Sequence, residues 1–258
     1  EWQLASAAAR QALNLSHFPV RSTATTPLDG IRESLWIHDG PVHAAGNAYW
    51  MHDLMRMAQA DGCQVLLTGQ TGTNQMLLWD TTRWVSRPAC PSSPDLLYHA
   101  RQGVAFSPAG NLVATPWLDT GGQHFGVRLW TLPDLSLHED LFLRESPIFS
   151  AAFAADGRSL ILGTYDGRVL VWDLENRRFA GSWRAHAAHV TTIATSPTGD
   201  FIATSSSDRT VRLWDSSTHQ QLALLRGHLR EIGPVAVSPD GHAVVSGAHD
   251  GTTRLWRT

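Results

Sequence analysis

Thirteen histidines and no lysine define the chemistry open to this chain; all 20 of its basic residues are arginine. Imidazoles close together invite a metal. His186 and His189 stand three apart, and His38, His43 and His52 lie near Asp39 and Asp53. A structural zinc site needs a closed tetrad of Cys and His ligands. Neither Cys63 nor Cys90 completes such a spacing, so no metal site is expected. The absence of lysine removes Schiff-base catalysis and any phosphate loop that depends on that side chain. No Gly-x-Ser-x-Gly elbow supplies a serine nucleophile. No catalytic residue is expected on these grounds, and the chain reads as leaning away from an enzyme.

The residues that recur do so for structure. Trp130, Trp172, Trp214 and Trp256 are each 42 positions apart. The last three stand in near-identical strings, Gly167-Arg-Val-Leu-Val-Trp172-Asp173, Arg209-Thr-Val-Arg-Leu-Trp214-Asp215 and Gly251-Thr-Thr-Arg-Leu-Trp256-Arg257, and the first in Val127-Arg-Leu-Trp130-Thr131. Short β-branched runs such as Phe201-Ile-Ala-Thr204 and Thr210-Val-Arg-Leu-Trp214 predict strands. Ser107-Pro-Ala-Gly110, Ser196-Pro-Thr-Gly199 and Ser238-Pro-Asp-Gly241 predict the same turn three times. A fixed period in the low forties built of strands resembles the WD-repeat β-propeller family. The resemblance implies mainly β structure with four full blades and a half over residues 61–258. Propellers close with about 4–8 blades, so a fragment, or self-association through an open blade edge, is expected.

The resemblance also implies a network of four side chains per blade: a loop histidine, a strand hydroxyl, a turn aspartate and the tryptophan. Carried over by position these are His186, Thr204, Asp208 and Trp214, then His228, Ser246, Asp250 and Trp256. Buried together, they would satisfy one another's hydrogen bonds. An earlier repeat keeps Asp166 and Trp172 but has Arg144 and Leu162 at the histidine and hydroxyl positions. The first full repeat offers Thr115, Asp119 and Trp130 without a histidine. Those two blades are expected to be looser.

Residues 1–60 fall outside the repeat. Helical spacing predicts helices over 2–14, 29–36 and 47–59, the last with Met51, Leu54, Met55 and Ala58 on one side. A buried strand, Val65-Leu-Leu67, then runs into the glycine loop Thr68-Gly-Gln-Thr-Gly72, which is α/β grammar. The strings Thr26-Pro-Leu-Asp-Gly-Ile-Arg32, Pro41-Val-His-Ala-Ala-Gly-Asn-Ala-Tyr-Trp50 and Val65-Leu-Leu-Thr-Gly-Gln70 resemble the synthase domain of asparagine synthase-related proteins. That resemblance covers about residues 1–74 and implies ATP-dependent, amide-forming chemistry. It places Gly69, Gln70 and Gly72 in a loop near the nucleotide, as a vestigial site. The family's pyrophosphate loop, Ser-Gly-Gly-x-Asp-Ser, and its lysine are absent from the sequence. No cofactor is therefore expected, with ATP and magnesium relevant only to a longer parent protein. Residues 61–80 also align with Asp156–Asp173, so the synthase-like strand doubles as an inner blade strand beside Met76-Leu-Leu-Trp79.

Composition narrows the partners. Hydrophobic residues make up 43% and charged residues 17%, as in a globular protein. A net charge of −3 favours neither nucleic acid nor an anionic membrane, and Arg177, Arg178 and Arg184 read as a solvated face. Two cysteines suit a reducing cytoplasm. Trp84, Trp117 and Trp183 have no counterpart in the repeat and are expected half-buried. The leading expectation is a non-catalytic scaffold that binds a protein or peptide through loops, with 119–124 and 229–231 as contact loops. The alternative is a piece of an asparagine synthase-like ligase fused to a docking module.

Overall fold

A computed structural model describes residues 104–119, 123–132 and 136–258 in full, and five earlier strands by their backbone alone. The chain forms two compact units, Glu1–Pro91 and Ser92–Thr258.

In the first unit, β1 (Met55–Ala60), β2 (Cys63–Gln70), β3 (Gln75–Asp80) and β4 (Val85–Pro88) make one antiparallel meander in chain order. This corrects the helix expected over 47–59, whose last residues lie in β1; the helices over 2–14 and 29–36 fall outside the described residues. Ala60 pairs with Cys63, so only Asp61 and Gly62 separate the strands, and Asp-Gly is a strong hairpin signal. The pull of that hairpin outweighs the helical spacing of the preceding residues. The α/β reading of Val65–Leu67 is corrected too, since β2 is flanked by antiparallel neighbours on both sides. Leu66 pairs with Trp79 and Leu67 with Leu78 along the ladder, so β2 and β3 are neighbours, as the alignment with Asp156–Asp173 implies.

The second unit repeats that meander. β5 (Leu96–Tyr98) and β6 (Ala105–Phe106) both pair with β7 (Leu112–Asp119), followed by β8 (Phe125–Thr131) and β9 (Leu137–Leu143). Two four-stranded sheets come next. The first is β10 (Ile148–Phe153), β11 (Ser159–Thr164), β12 (Arg168–Asp173) and β13 (Arg178–Arg184). The second is β14 (Val190–Thr195), β15 (Phe201–Ser206), β16 (Thr210–Asp215) and β17 (Gln221–Arg226). The last sheet has three strands: β18 (Ile232–Val237), β19 (Ala243–Ala248) and β20 (Thr253–Arg257).

The predicted turns close the hairpins. In Ser107–Gly110, Ser196–Gly199 and Ser238–Gly241 the glycine N–H donates to the serine carbonyl at 2.9 Å. Those glycines hold φ of +71°, +81° and +74°, a region that other residues enter at a cost.

Apolar side chains meet between consecutive sheets. Val127 and Leu129 pack with Phe153, Leu160 and Leu162; Ile161 and Val169 pack with Val190, Ile202 and Trp214; Val211 and Leu213 pack with Ile232, Val235 and Val244. The two middle sheets, β10–β13 and β14–β17, are therefore buried on both faces, which favours near-continuous apolar inner strands over simple alternation. Phe201–Ser206 is buried at every position.

Candidate functional site

The loop from β13 to β14 carries His186, whose side chain is fully buried. Its Nδ1 lies 2.9 Å from Asp208 Oδ2 and its Nε2 lies 2.8 Å from Thr204 Oγ1. Trp214 Nε1 donates to the same hydroxyl at 2.9 Å. One proton arrangement satisfies every atom: indole to threonine, threonine to Nε2, and Nδ1–H to the carboxylate, a tautomer assigned from these partners. The next sheet repeats it. His228 meets Asp250 at 3.1 Å and Ser246 at 2.9 Å, and Trp256 Nε1 donates to Ser246 at 2.9 Å. All eight residues carried over by position thus come together as two foursomes.

Each carboxylate also gathers donors that the sequence reading missed. Thr210 donates to Asp208 through its hydroxyl at 2.6 Å and its N–H at 3.0 Å, and Ala187 N–H donates at 3.2 Å. Thr252 and Leu229 N–H serve Asp250 likewise, at 2.6 and 2.7 Å. Thr210 and Thr252 are 42 apart and each lies two after its aspartate, a signal present in the sequence. Burial pushes the Asp208 carboxyl up, but hydrogen bonds from His186 and Thr210 outweigh it and hold the group well below the usual carboxylate range. At Asp250 the Thr252 hydroxyl and Leu229 N–H act in the same downward direction.

The earlier sheets depart from this pattern as their sequences foretell, with one exception. Trp172 Nε1 is buried without a hydrogen-bond partner, because Leu162 sits in the apolar cluster where Thr204 and Ser246 supply hydroxyls. Asp166 accepts from Thr164 instead, and Arg144 is exposed. Trp130 Nε1 donates to Thr115 at 2.8 Å, as expected. Asp119 is the exception and a correction. Its Oδ2 lies 2.7 Å from His124 Nδ1 at an exposed turn, outside both foursomes. His124 stands six before Trp130, the offset that Asp208 holds before Trp214. The long hairpin β7–β8 thus puts a histidine where the other blades put the acid.

The aspartates that follow Trp172 and Trp214 have a separate task. Asp215 accepts from Ser217 and Thr218, and Asp173 from the Glu175 and Asn176 N–H groups. They close the turn into the fourth strand.

A second cluster lies beside the first histidine loop. His189 stacks on Tyr165 at 5.3 Å and tilts against Phe149 at 4.9 Å. Its Nε2 faces both Ser207 Oγ at 2.6 Å and Glu231 Oε1 at 3.3 Å. A nucleophile, base and acid relay needs its partners on opposite imidazole nitrogens; here both share one. Of the expected contact loops, Leu229 is 76% exposed, whereas the middle of 119–124 lies outside the described residues.

Among the described residues no group of His, Cys, Asp or Glu could hold a metal ion, and no helix is long and apolar enough to cross a membrane. Gly69 and Gln70 pair with Met76 and Gln75 in the β2–β3 ladder, not in a strand-to-helix turn; Gly72 and Trp84 lie outside the described residues. Trp117 is buried and donates to Asp140 at 3.0 Å. Trp183 is half-buried, stacked on His219 at 4.4 Å. Arg177 pairs with Glu139 at 2.8 Å, and Arg178 and Arg184 are exposed.

Comparison with known proteins bears on the same residues. Three stretches, 138–173, 177–215 and 219–257, match the family described as WD domain, G-beta repeat. Periodic tryptophan protein 2 homolog of Neurospora crassa is 29% identical over 103 residues, covering 40% of this chain and 11% of that protein. Protein LST8 homolog of Drosophila melanogaster is 26% identical over 92 residues, covering 35% and 29%. The chain thus spans about a tenth of one relative and under a third of the other. The matched repeats lie within 138–257, so they lend nothing to the synthase-like reading of residues 1–74.

Proposed function

We propose that the WD repeats of residues 138–257, with the sheet before them, form a non-catalytic platform that binds a protein or peptide through its loops. One observation carries this reading. The His186 and His228 networks pin the loops entering β14 and β18 by buried hydrogen bonds, while those loops keep side chains outside: Leu229 at 76% exposure, beside an equally pinned carboxylate. Tyr165, at 59%, stacks on His189 of the neighbouring loop. A rigid base with exposed apolar and aromatic tips suits recognition, because little loop entropy remains to be lost on binding. We expect neither nucleic acid nor membrane as a partner.

The test is quantitative affinity capture with the wild type and with Leu229→Glu and Tyr165→Ala variants whose folding is checked by thermal melts. Specific partners lost from the variants support the reading. A partner set unchanged by both, or equilibrium binding of ATP with magnesium, would overturn it. The second outcome would favour the amide-forming alternative, for which the described residues offer only Gly69 and Gln70.

A further inference from the structure

The three sheets from β10 to β20 tie their loop ends with one repeated bond. In each, the residue after the second strand donates its N–H to the carbonyl just before the first. The pairs are Tyr165 to Pro147, Ser207 to His189 and His249 to Glu231, at 2.8, 3.3 and 2.9 Å. Each position recurs after 42 residues, so the backbone repeats while the side chains do not. Fixed loop positions with unlike side chains are where a rigid scaffold carries recognition.

Here the unlike side chains meet. His189 stacks on Tyr165 with the two rings 3° from parallel, and Phe149 leans on the same imidazole at 4.9 Å. His189 covers one face of the Tyr165 ring, yet Tyr165 is still 59% exposed. Glu231 reaches the imidazole from the third sheet, with its side chain 36% exposed. Ser207 Oγ lies 2.6 Å from His189 Nε2 and Glu231 Oε1 lies 3.3 Å from it. The serine thus has the closer claim on that nitrogen, and the carboxylate keeps most of its capacity. A carboxylate offers about four lone-pair sites, and Glu231 makes no other side-chain hydrogen bond or ion pair among the described residues. Arg230, its neighbour in the chain, is exposed and does not pair with it.

An accessible aromatic ring and an under-used carboxylate therefore stand one imidazole apart. That combination suits arginine better than any other side chain. A planar guanidinium stacks on the ring while its forked N–H groups reach the carboxylate, whereas lysine brings only a point charge. We propose that this cluster seats an arginine side chain of the partner protein, stacked on Tyr165 and held by Glu231. The inference rests on the platform reading, because it gives the partner's chemistry at one part of that surface.

The probe is a short blocked peptide with one arginine flanked by glycines. Its binding is followed by calorimetry and by NMR of the whole chain labelled at its 3 tyrosines, with the Tyr165 signal assigned by its loss in Tyr165→Phe. We expect saturable shifts at Tyr165. A matched citrulline peptide, neutral but of similar shape, should bind about fivefold more weakly. Glu231→Gln should remove that preference, a ratio that a merely structural role would leave alone. Tyr165→Ala should weaken arginine binding about threefold. Both side chains are partly exposed, so the variants are expected to fold, and melting temperatures check this. No shift at Tyr165, equal binding of the two peptides, or an arginine preference that survives Glu231→Gln would each overturn the proposal. If the peptide fails while capture through Leu229 and Tyr165 persists, the arginine seat falls alone. If the peptide binds and capture is blind to both variants, the platform reading falls instead.

Discussion

The sheets β10–β13 and β14–β17 have the same strand order and nearly the same register. Even their irregularities coincide, with shifts at Val171/Trp172 and Leu213/Trp214 in one ladder and at Ile148/Ser150 and Val190/Thr192 in another. They differ in polarity at the loop end. One carries the buried histidine, threonine, aspartate and tryptophan; the other has an exposed arginine, a buried leucine and an indole N–H with no partner. The meander therefore does not need the network. Strand pairing and apolar burial between sheets are enough to form a blade. What the network adds is a fixed loop, because a buried imidazole can be satisfied only if the chain on either side holds one position.

Removing each histidine counterpart gives the widest separation between the two sheets. His186→Ala leaves Thr204 and Asp208 short of a buried partner and opens a cavity, and should cost about 3–4 kcal/mol in chemical denaturation. Arg144→Ala at the matching exposed position should stay within about 0.5 kcal/mol. Equal losses would mean that the network is not what separates the sheets.

Acid offers a milder way to dissolve the same difference. The Asp208 carboxyl is held below its ordinary value of 3.8 in the folded protein. Its contribution is fully present above that value and is lost as the pH falls further toward the folded-state value. Denaturation midpoints followed downward from pH 5 should fall more steeply for the wild type than for Asp208→Asn, which cannot titrate there. Parallel curves would show that the carboxylate does not matter to stability.

The tryptophans sharpen the comparison by a single bond. Trp214→Phe loses a hydrogen bond to Thr204 that Trp172→Phe does not have to lose. The cost at 214 should exceed that at 172 by about 1 kcal/mol, net of similar losses in packing. Reversed costs would place the energetic weight on the edge-on contact of Trp172 with Phe179.

The smallest effect concerns the backbone. Positions 167, 209 and 251 are equivalent and all hold positive φ, yet the middle one is Arg209, at 69°. Arg209→Gly should raise stability by about 0.5–1 kcal/mol by relieving a left-handed non-glycine residue. No gain in the melting temperature would mean that Arg209 makes a compensating contact.

Much of this was legible because it is local or periodic. Trp130, Trp172, Trp214 and Trp256 announced their strands, and the Ser-to-Gly turns announced the hairpins. The pairing of His186 and His228 with Asp208 and Asp250, 22 residues away, was implied by the family resemblance and not by the period itself. Thr210 and Thr252 obey the same period, but hydroxyls are common in strands and carry little signal alone.

What the amino-acid sequence determined by itself was the period, the alternation of strand and turn, and the polar residues available to each loop. All are set by chemistry within one repeat. Only the tertiary structure decided which of these residues meet. It made a strand of Met55–Ala60, where pairing across Asp61-Gly62 overcame helical spacing. It turned Asp119 toward His124, because β7 runs on past the length that would have brought the acid inward. It gathered Phe149, Tyr165, His189, Ser207 and Glu231 from three sheets into one cluster. Contacts between sheets depend on how neighbouring repeats stack, and no single repeat encodes that geometry.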